Sequence, residues 1–338
     1  MDKVAVVILN WNGSKLLEQF LPSVVNYSEQ DGGVVYVADN GSSDNSLQLV
    51  KNIFPTVKII SMSQNYGFAE GYNRALKEVE AEYVVLLNSD VEVTPHWLLP
   101  LLDFMETHPN VAACQPKLRS WYEKDAFEYA GASGGFIDYL GYPYCRGRIM
   151  SAVEKDKGQY DEIAPVCWAT GAALFIRLAD YRDIGGFDGN FFAHMEEVDL
   201  CWRLWSCGKE IYCVPSSVVY HVGGGTLQKE NPRKTFLNFR NNLLMLYKNL
   251  PSEELSRVMI IRGFLDYVAA LSFLLKGEWR SAWMVAKARR AFKNIRKDYA
   301  SYRSKNTNLR QVRLPFFHKR GCILWSYYAK RVRKYSEL

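Results

Sequence analysis

The chain has 338 residues, of which 48% are hydrophobic, 14% aromatic and 23% charged, enough core-forming material for one large α/β domain and a smaller appendage. That composition excludes a disordered chain. Its net charge of +6 hides an asymmetry: residues 276 to 334 carry 18 Lys or Arg against Glu278 and Asp298, whereas residues 1 to 275 carry 24 basic and 33 acidic side chains.

The first apolar run, VAVVIL, starts at Val4 behind Lys3 and ends in Asn10-Trp11-Asn12-Gly13, so it is expected to be a first strand and not a secretory leader. Short β-branched runs then alternate with amphipathic stretches: LLEQFLPSVV, VVYVAD, SLQLVKNIF, VKIIS, AEGYNRALKEV, YVVLLN and WLLPLLDFM. Such alternation predicts βαβ units around a mostly parallel sheet flanked by helices. Beyond residue 110 the pattern loosens into Gly- and aromatic-rich loops (GASGGF, YLGYPYCRGR), then the apolar segment TGAALFIR and a helix EEVDLCWRLWSCG. After His221 and Gly223-Gly224-Gly225 a helix is expected over 232–250, with two or three more behind it.

Ligands of such sheets bind outside the carboxyl ends of the strands, and the residues there are polar. They are Asn10 and Asn12 after the first strand, Asp39-Asn40-Gly41-Ser42-Ser43-Asp44 after the second, Asn65-Tyr66-Gly67 after the third, and Asn88-Ser89-Asp90 after the fourth. The Asp39 turn offers backbone donors and a carboxylate to a base or ribose; it reads equally as a turn in which Ser43 or Asp44 caps the next helix. Asp90, ending a buried strand, makes sense beside a divalent cation bridging a diphosphate. Glu196, Glu197 and Asp199 gather three carboxylates beside His194. On a helix Glu196, Asp199 and Arg203 share one face while Glu197 points about 100° away. Mutual repulsion is expected to raise at least one pKa, which suits a base accepting a proton from a sugar hydroxyl. The three glycines behind His221 allow close backbone approach to a phosphate or a closing loop.

Seven cysteines (Cys114, Cys145, Cys167, Cys201, Cys207, Cys213 and Cys322), odd in number and without a CxxC, suggest reduced thiols in a cytoplasmic compartment. A zinc cluster of Cys201, Cys207, Cys213 and His221 is disfavoured because its gaps match no common ligand spacing.

Taken in order, VAVVILNWNG, VVYVADNGSSDNS, NYGFAEGYNRAL, VVLLNSDVEV, TGAALFIR and GGFDGNFFAHMEEVDLCWR followed by His221 resemble the family 2 glycosyltransferases of GT-A type fold, closest to bacterial rhamnosyltransferase-like members, over residues 3 to 225. The resemblance implies a nucleotide-sugar-binding and catalytic domain over 1–225; the remainder, 226–338, is expected from its own charge and apolar pattern to be a helical, basic, membrane-associating region. The resemblance also implies that Asp39 holds the uracil or thymine and ribose, with Asn10, Asn12, Asn40, Asn65, Gly67, Asn88 and Ser89 lining the nucleotide-sugar pocket. Asp90 and His221 would hold Mg2+ or Mn2+, although Asn88 stands where many relatives carry an acid. Glu197 takes the position of the catalytic base, with Glu196 a competitor and Asp199 in the same acidic cluster. The implied reaction is inverting transfer of a sugar from a UDP- or dTDP-sugar to a hydroxyl of a saccharide or lipid-linked saccharide, in bacterial cell-surface polysaccharide assembly.

The segment VMIIRGFLDYVAALSFLLKGEW is interrupted by Arg262 and Asp266, leaving nine unbroken apolar residues from Tyr267 to Leu275, short of the roughly 20 that span a bilayer. With the basic, aromatic-rich segment around it, which includes Phe316 and Phe317, it is expected to lie on an anionic membrane surface at the inner face of the cytoplasmic membrane; nucleic acid is not an expected partner. Two other functions compete. A sugar-phosphate nucleotidyltransferase should show a Gly-rich loop with Arg and Lys after the first strand, which NWNGSKLLEQF lacks, and a non-catalytic membrane- or polyanion-binding scaffold would not need Asp39, Asp90 and the acidic pair.

Overall fold

The computed structural model describes residues 1–223, 231–314 and 321–338; Gly224 and Gly225 of the triple glycine, and Phe316 and Phe317 of the tail, lie outside them. In the first half, β1 (Asp2–Asn10), α1 (Ser14–Gln30), β2 (Gly33–Asp39), α2 (Ser46–Ile53), β3 (Lys58–Ser61), α3 (Gly67–Ala75), β4 (Ala81–Leu87), β5 (Val91–Val93), α4 (Leu99–Thr107) and β6 (Val111–Ser120) follow one another as the alternation predicts. Four short strands come next, β7 (Gly135–Ile137), β8 (Pro143–Cys145), β9 (Arg148–Ile149) and β10 (Ala152–Val153), then β11 (Ala164–Pro165), β12 (Ala173–Arg177), α5 (Leu178–Asp183), α6 (Glu196–Ser206) and β13 (Glu210–His221). The chain closes with α7 (Pro232–Asn249), α8 (Ser252–Leu275), α9 (Trp279–Ile295), α10 (Ala300–Leu309) and α11 (Ile323–Tyr328), one helix more than the sequence reading allows.

The main sheet has nine strands in the order β11-β13-β6-β12-β4-β1-β2-β3, with β5 added to β13. Its β4-β1-β2-β3 half is parallel throughout. The other half is mixed, because β12 enters antiparallel between β4 and β6 while β13 runs parallel to β6. The segments expected to be loops between 130 and 155 instead form a small antiparallel sheet, β10-β9-β8-β7; strands of two or three residues are too short to show a period-two pattern.

Val4 to Ile8 of β1 are all buried, as parallel strands covered on both faces must be. Alternate residues feed two cores. Val4, Val6 and Ile8 pack with Leu17, Leu21 and Val24 of α1 and Leu101 and Met105 of α4. Ala5 and Val7 belong to a larger core that runs through the small sheet (Phe136, Tyr144) to Leu243, Leu244 and Leu246 of α7, Val258 of α8 and Phe292 of α9. The C-terminal helices thus share a core with the sheet. At 20–33 cal/mol per Å² of apolar surface, that shared face stabilises both halves together.

Candidate active site

The parallel strands end on one edge, and the polar residues there form a connected network. Asp39, buried at the end of β2, accepts from Ser42 N–H at 3.0 Å and from the Asn10 side-chain amide at 3.2 Å. Asn12, in a left-handed conformation with φ 51°, accepts from Ser43 N–H at 2.7 Å through its side-chain oxygen, and its own N–H donates to Ser42 Oγ at 2.9 Å. The two turns therefore hold each other without a ligand. Asn10 Oδ1, buried, has no partner; a Cβ on Gly13 would stand 2.4 Å from it, so glycine is required there to leave that oxygen room. Asp44 is a cap, accepting from Ser14 N–H at 3.0 Å and Ser46 N–H at 3.1 Å at the starts of α1 and α2.

Asn40 and Asn65 also serve the scaffold. Asn40 donates to Asn65 Oδ1 at 3.2 Å and to the Gly67 carbonyl at 3.0 Å, and accepts from Tyr66 N–H at 3.0 Å. Gly67, with φ +81° and the Phe192 ring against it, has no room for a side chain. The second and third N–H groups of α3, Phe68 and Ala69, donate to the Phe192 carbonyl, which ties this turn to the loop carrying the acidic pair.

Asp90 and His221 meet because β13 carries an irregularity between Val214 and Val218 and then pairs antiparallel with β5, setting His221 opposite Val91. His221 Nε2 lies 3.1 Å from Asp90 Oδ1 and 3.4 Å from Asn88 Nδ2. On the other side of the ring, Nδ1 lies 3.4 Å from Oε1 of Glu128, a buried residue that sequence reasoning missed. Burial alone would lower the imidazole pKa, but the Glu128 and Asp90 carboxylates outweigh it and hold it at about 10. Among the described residues no three His, Cys, Asp or Glu side chains gather to hold a metal ion, and all seven cysteines are free thiols. The pair fits a cation shared with a diphosphate once that cation displaces the Nε2 proton bonded to Asp90, since a ligating imidazole must be neutral: one carboxylate oxygen and one imidazole nitrogen 3.1 Å apart match neighbouring ligands of an octahedral ion, about 3 Å apart when each bond is about 2.1 Å. Ser89 sits across the same edge, its Oγ 3.9 Å from where a Cβ on Gly13 would be.

The three carboxylates of α6 part company. Asp199, 0% exposed, accepts from Arg203 at 2.9 Å, Lys248 at 2.9 Å and Asn249 at 2.8 Å. Burial would raise its pKa, but Lys248 and Arg203 overcome this and hold the carboxyl below its ordinary range. The expected catalytic cluster thus loses Asp199 to a buried ion network joining α6 to α7. Glu196 and Glu197 each keep a buried carboxyl oxygen, Oε2, with no partner. Burial, with Glu197 beside it, pushes Glu196 well above the carboxylate range. Burial also lifts Glu197, to about 7, against the N–H groups of the helix start. Repulsion contributes as expected, yet desolvation is the larger cause.

Glu197 packs beside Gly171, where an added Cβ would stand 3.8 Å from its own Cβ. The next residue, Ala172, accepts from Asn88 N–H at 3.0 Å, so the backbone beside Glu197 is tied to the strand end that leads to Asp90. Cys145 of β8 feels both Glu128 and Glu197, and buried Arg148 stacks on Tyr129 beside it, 4.6 Å from the ring centre.

The loop leading to Glu196 is strained. Phe192, His194 and Met195 all have positive φ, from 65° to 73°, a conformation that costs on the order of 1 kcal/mol or more per non-glycine residue. Asn241 of α7, fully buried, holds it by donating to the carbonyls of Phe191 and Ala193 at 2.9 Å and His194 at 2.8 Å. Adjacent asparagines, Asn241-Asn242, inside an apolar helix are the sequence signal that could have exposed this clamp, since asparagine is a poor helix former.

A mixed sheet with a nucleotide-type edge, a carboxylate–imidazole pair and an unpaired acid at a helix start defines a GT-A type glycosyltransferase. The glycosyl transferase family 2 model matches residues 5–156, and that of glycosyl transferase family group 2 matches residues 83–235. The chain is 29% identical over 238 residues to N-acetylglucosaminyl-diphospho-decaprenol L-rhamnosyltransferase of Mycobacterium tuberculosis, covering 65% of this chain and 76% of that one. The mannosyltransferase PcManGT of Pyrobaculum calidifontis, solved with GDP-Man and Mn2+, superposes with TM-score 0.54 at 14% identity, over 91% of this chain and 84% of that one. GalNAc-T7, solved with UDP, GalNAc and Mn2+, superposes with TM-score 0.57 at 15% identity, over 75% of this chain and 49% of that one. The chain belongs to glycosyl transferase family 2 and is rhamnosyltransferase-like. Neither the nucleotidyltransferase nor the scaffold reading is favoured.

Proposed function

We propose that this enzyme transfers a sugar, with inversion, from a UDP- or dTDP-sugar to a hydroxyl of a lipid-linked saccharide. The observation that carries the reading is Glu197: a carboxyl with one unpartnered oxygen, lifted to about 7, packed against Gly171, whose neighbour Ala172 bonds Asn88 of the strand end that leads to Asp90. A group poised near neutrality is suited to general-base work. In the reaction Glu197 takes the proton of the acceptor hydroxyl as that oxygen attacks the anomeric carbon. The bond from that carbon to the diphosphate breaks on the opposite side, and the electron pair leaves with the diphosphate. Glu196, still more strongly held protonated, is less suited to that role.

Asp90 and His221 would hold the divalent cation, Mg2+ or Mn2+, with Glu128 fixing the ring from behind. When bound, the cation supplies positive charge to the departing diphosphate. The Asp39 carboxylate and the free Asn10 Oδ1 present acceptors, which favours a base offering an N–H, as uracil and thymine do. The lipid-linked acceptor is suggested by the named substrate of the M. tuberculosis relative, and the free thiols support a reducing compartment.

The reading is tested by thermal shift of the purified protein against UDP, dTDP, GDP and CMP, each with Mn2+ and with EDTA, because a ligand that binds the native state alone raises its melting temperature. A shift with UDP or dTDP that EDTA removes is expected. No shift with any nucleoside diphosphate overturns the reading.

A further inference from the structure

Helix α8 is built inside out. Its 24 residues make it long and apolar enough to cross a membrane by length and composition, yet Arg262 and Asp266, which interrupt the run in sequence, are both buried. Arg262 donates to the Leu140 carbonyl at 2.8 Å and pairs with Asp266 at 3.2 Å, and Asp266 pairs with Arg289 of α9 at 2.5 Å. With the charges turned inward, Ile260, Phe264, Tyr267, Leu271, Leu274 and Leu275 form an unbroken outward stripe, from 53% to 82% exposed, at the i, i+4, i+7, i+11 spacing of one helix face. The interruption that argues in sequence against spanning a bilayer therefore does not break the apolar surface of the helix.

The stripe continues onto α9, where Trp279 and Trp283 are 63% and 64% exposed. Lys276 before them, and Lys287 and Arg290 after them, are exposed as well; Trp279, Trp283, Lys287 and Arg290 lie within about 80° of one another around the helix. Monomeric soluble proteins rarely leave so large an apolar face open. Tryptophans at its end and cations along its border are what a headgroup region with negative charge recognises.

We infer that the outward face of α8 and the start of α9 docks on the surface of an anionic lipid bilayer, lying along it without crossing it. Crossing would pull Arg262, Asp266 and Arg289 out of their mutual pairing into hydrocarbon; docking leaves that pairing intact. The inner side of the same helix is linked to the acidic pair. Arg262 hydrogen-bonds Asn242, and Asn242 Nδ2 lies 3.8 Å from Met195 Sδ, next to the acidic pair. The consequence for catalysis, delivery of a lipid-linked acceptor to Glu197, rests on the function proposed above; the docking does not.

The test is flotation of the full chain with vesicles of phosphatidylcholine alone or with about 30% phosphatidylglycerol, at low salt and at about 0.5 M salt, where exposed charges are screened. Expected are at least tenfold stronger binding to the anionic vesicles, its weakening by salt, and a further loss of at least tenfold in the Leu271→Glu/Leu275→Glu and Trp279→Ala/Trp283→Ala variants. Both variants should keep the wild-type circular dichroism spectrum and nucleotide thermal shift, which separates failure to dock from failure to fold or to bind donor. The proposal is overturned if wild type ignores anionic vesicles, or if both variants bind as wild type does. It is equally overturned if light scattering shows a dimer that the glutamates dissociate, or if bound protein resists extraction by alkaline carbonate.

Discussion

The two halves of the proposed active site are built on opposite principles. Around Asp39, the turns after β1, β2 and β3 satisfy one another: Asn12, Asn40, Ser42, Ser43 and Asn65 are partners within one network, with Asn10 Oδ1 left over. Around Glu197, three residues of one loop, Phe192, His194 and Met195, have positive φ, and three buried polar atoms, His194 Nε2, Glu196 Oε2 and Glu197 Oε2, lack partners. Burial and Lys234 also drop His194 to about 4, so its ring is neutral at pH 7. The proposed donor end is pre-formed at low cost, whereas the proposed chemical end stores strain and desolvated charge that the rest of the fold must offset.

The most damaging way to break this contrast is Glu197→Gln. It should lower the transfer rate by about 10^2- to 10^4-fold, the usual worth of a general base, while the nucleotide-induced thermal shift stays at wild-type size. The pH dependence has a definite sign. Because Glu197 is raised from 4.5 to about 7, its neutral form is favoured by the fold; that stability is fully present below pH 4.5 and lost as pH rises through about 7. Activity should rise over the same window, since the base must ionise. Glu196 and Glu197 titrate as a pair, so Glu197→Gln should reduce the fall in stability between pH 5 and 8 without abolishing it. Urea melts across that range measure this, and an unchanged slope, like an undiminished rate, would move the base away from Glu197.

Asn241→Ala should come next. It removes three hydrogen bonds from the strained loop and leaves buried carbonyls unpaired, which should cost about 3 kcal/mol of stability and lower kcat by about tenfold, with little change in donor affinity. Denaturant melts and a kcat against KM comparison check it. Loss of donor affinity in place of kcat would mean that the clamp serves the nucleotide end.

What the sequence showed follows the same division. That Asn10, Asp39 and Asn88 to Asp90 meet was legible because a parallel sheet sends the ends of its strands to one edge, so position along the chain predicts position on that edge. Glu128 was not, since it sits in a loop of glycines and aromatics and meets His221 through the irregularity in β13. Asp199 looked like its neighbours in sequence, but its partners Lys248 and Asn249 come from another helix. The two charges of α8 were read as breaks in an apolar run because a linear string cannot tell which face of a helix turns inward. Local pattern carries the scaffold; long-range packing assigns the roles.

Asp44→Ala gives the smallest effect and the sharpest check on the donor end. The residue lies in the same turn as Asp39, yet its oxygens go to Ser14 and Ser46 at two helix starts, and its carboxyl is held below the ordinary range by these bonds despite burial. Losing such a cap costs about 1 kcal/mol, so the melting temperature should fall by a few degrees. Calorimetric titration with the nucleotide should show affinity within about twofold of wild type, since the lost bonds go to two helix starts and not to the residues proposed to hold the donor, whereas a tenfold change requires about 1.4 kcal/mol. A tenfold loss of affinity would show instead that the turns behave as one rigid body, in which a cap on α1 and α2 sets the position of Asp39 itself.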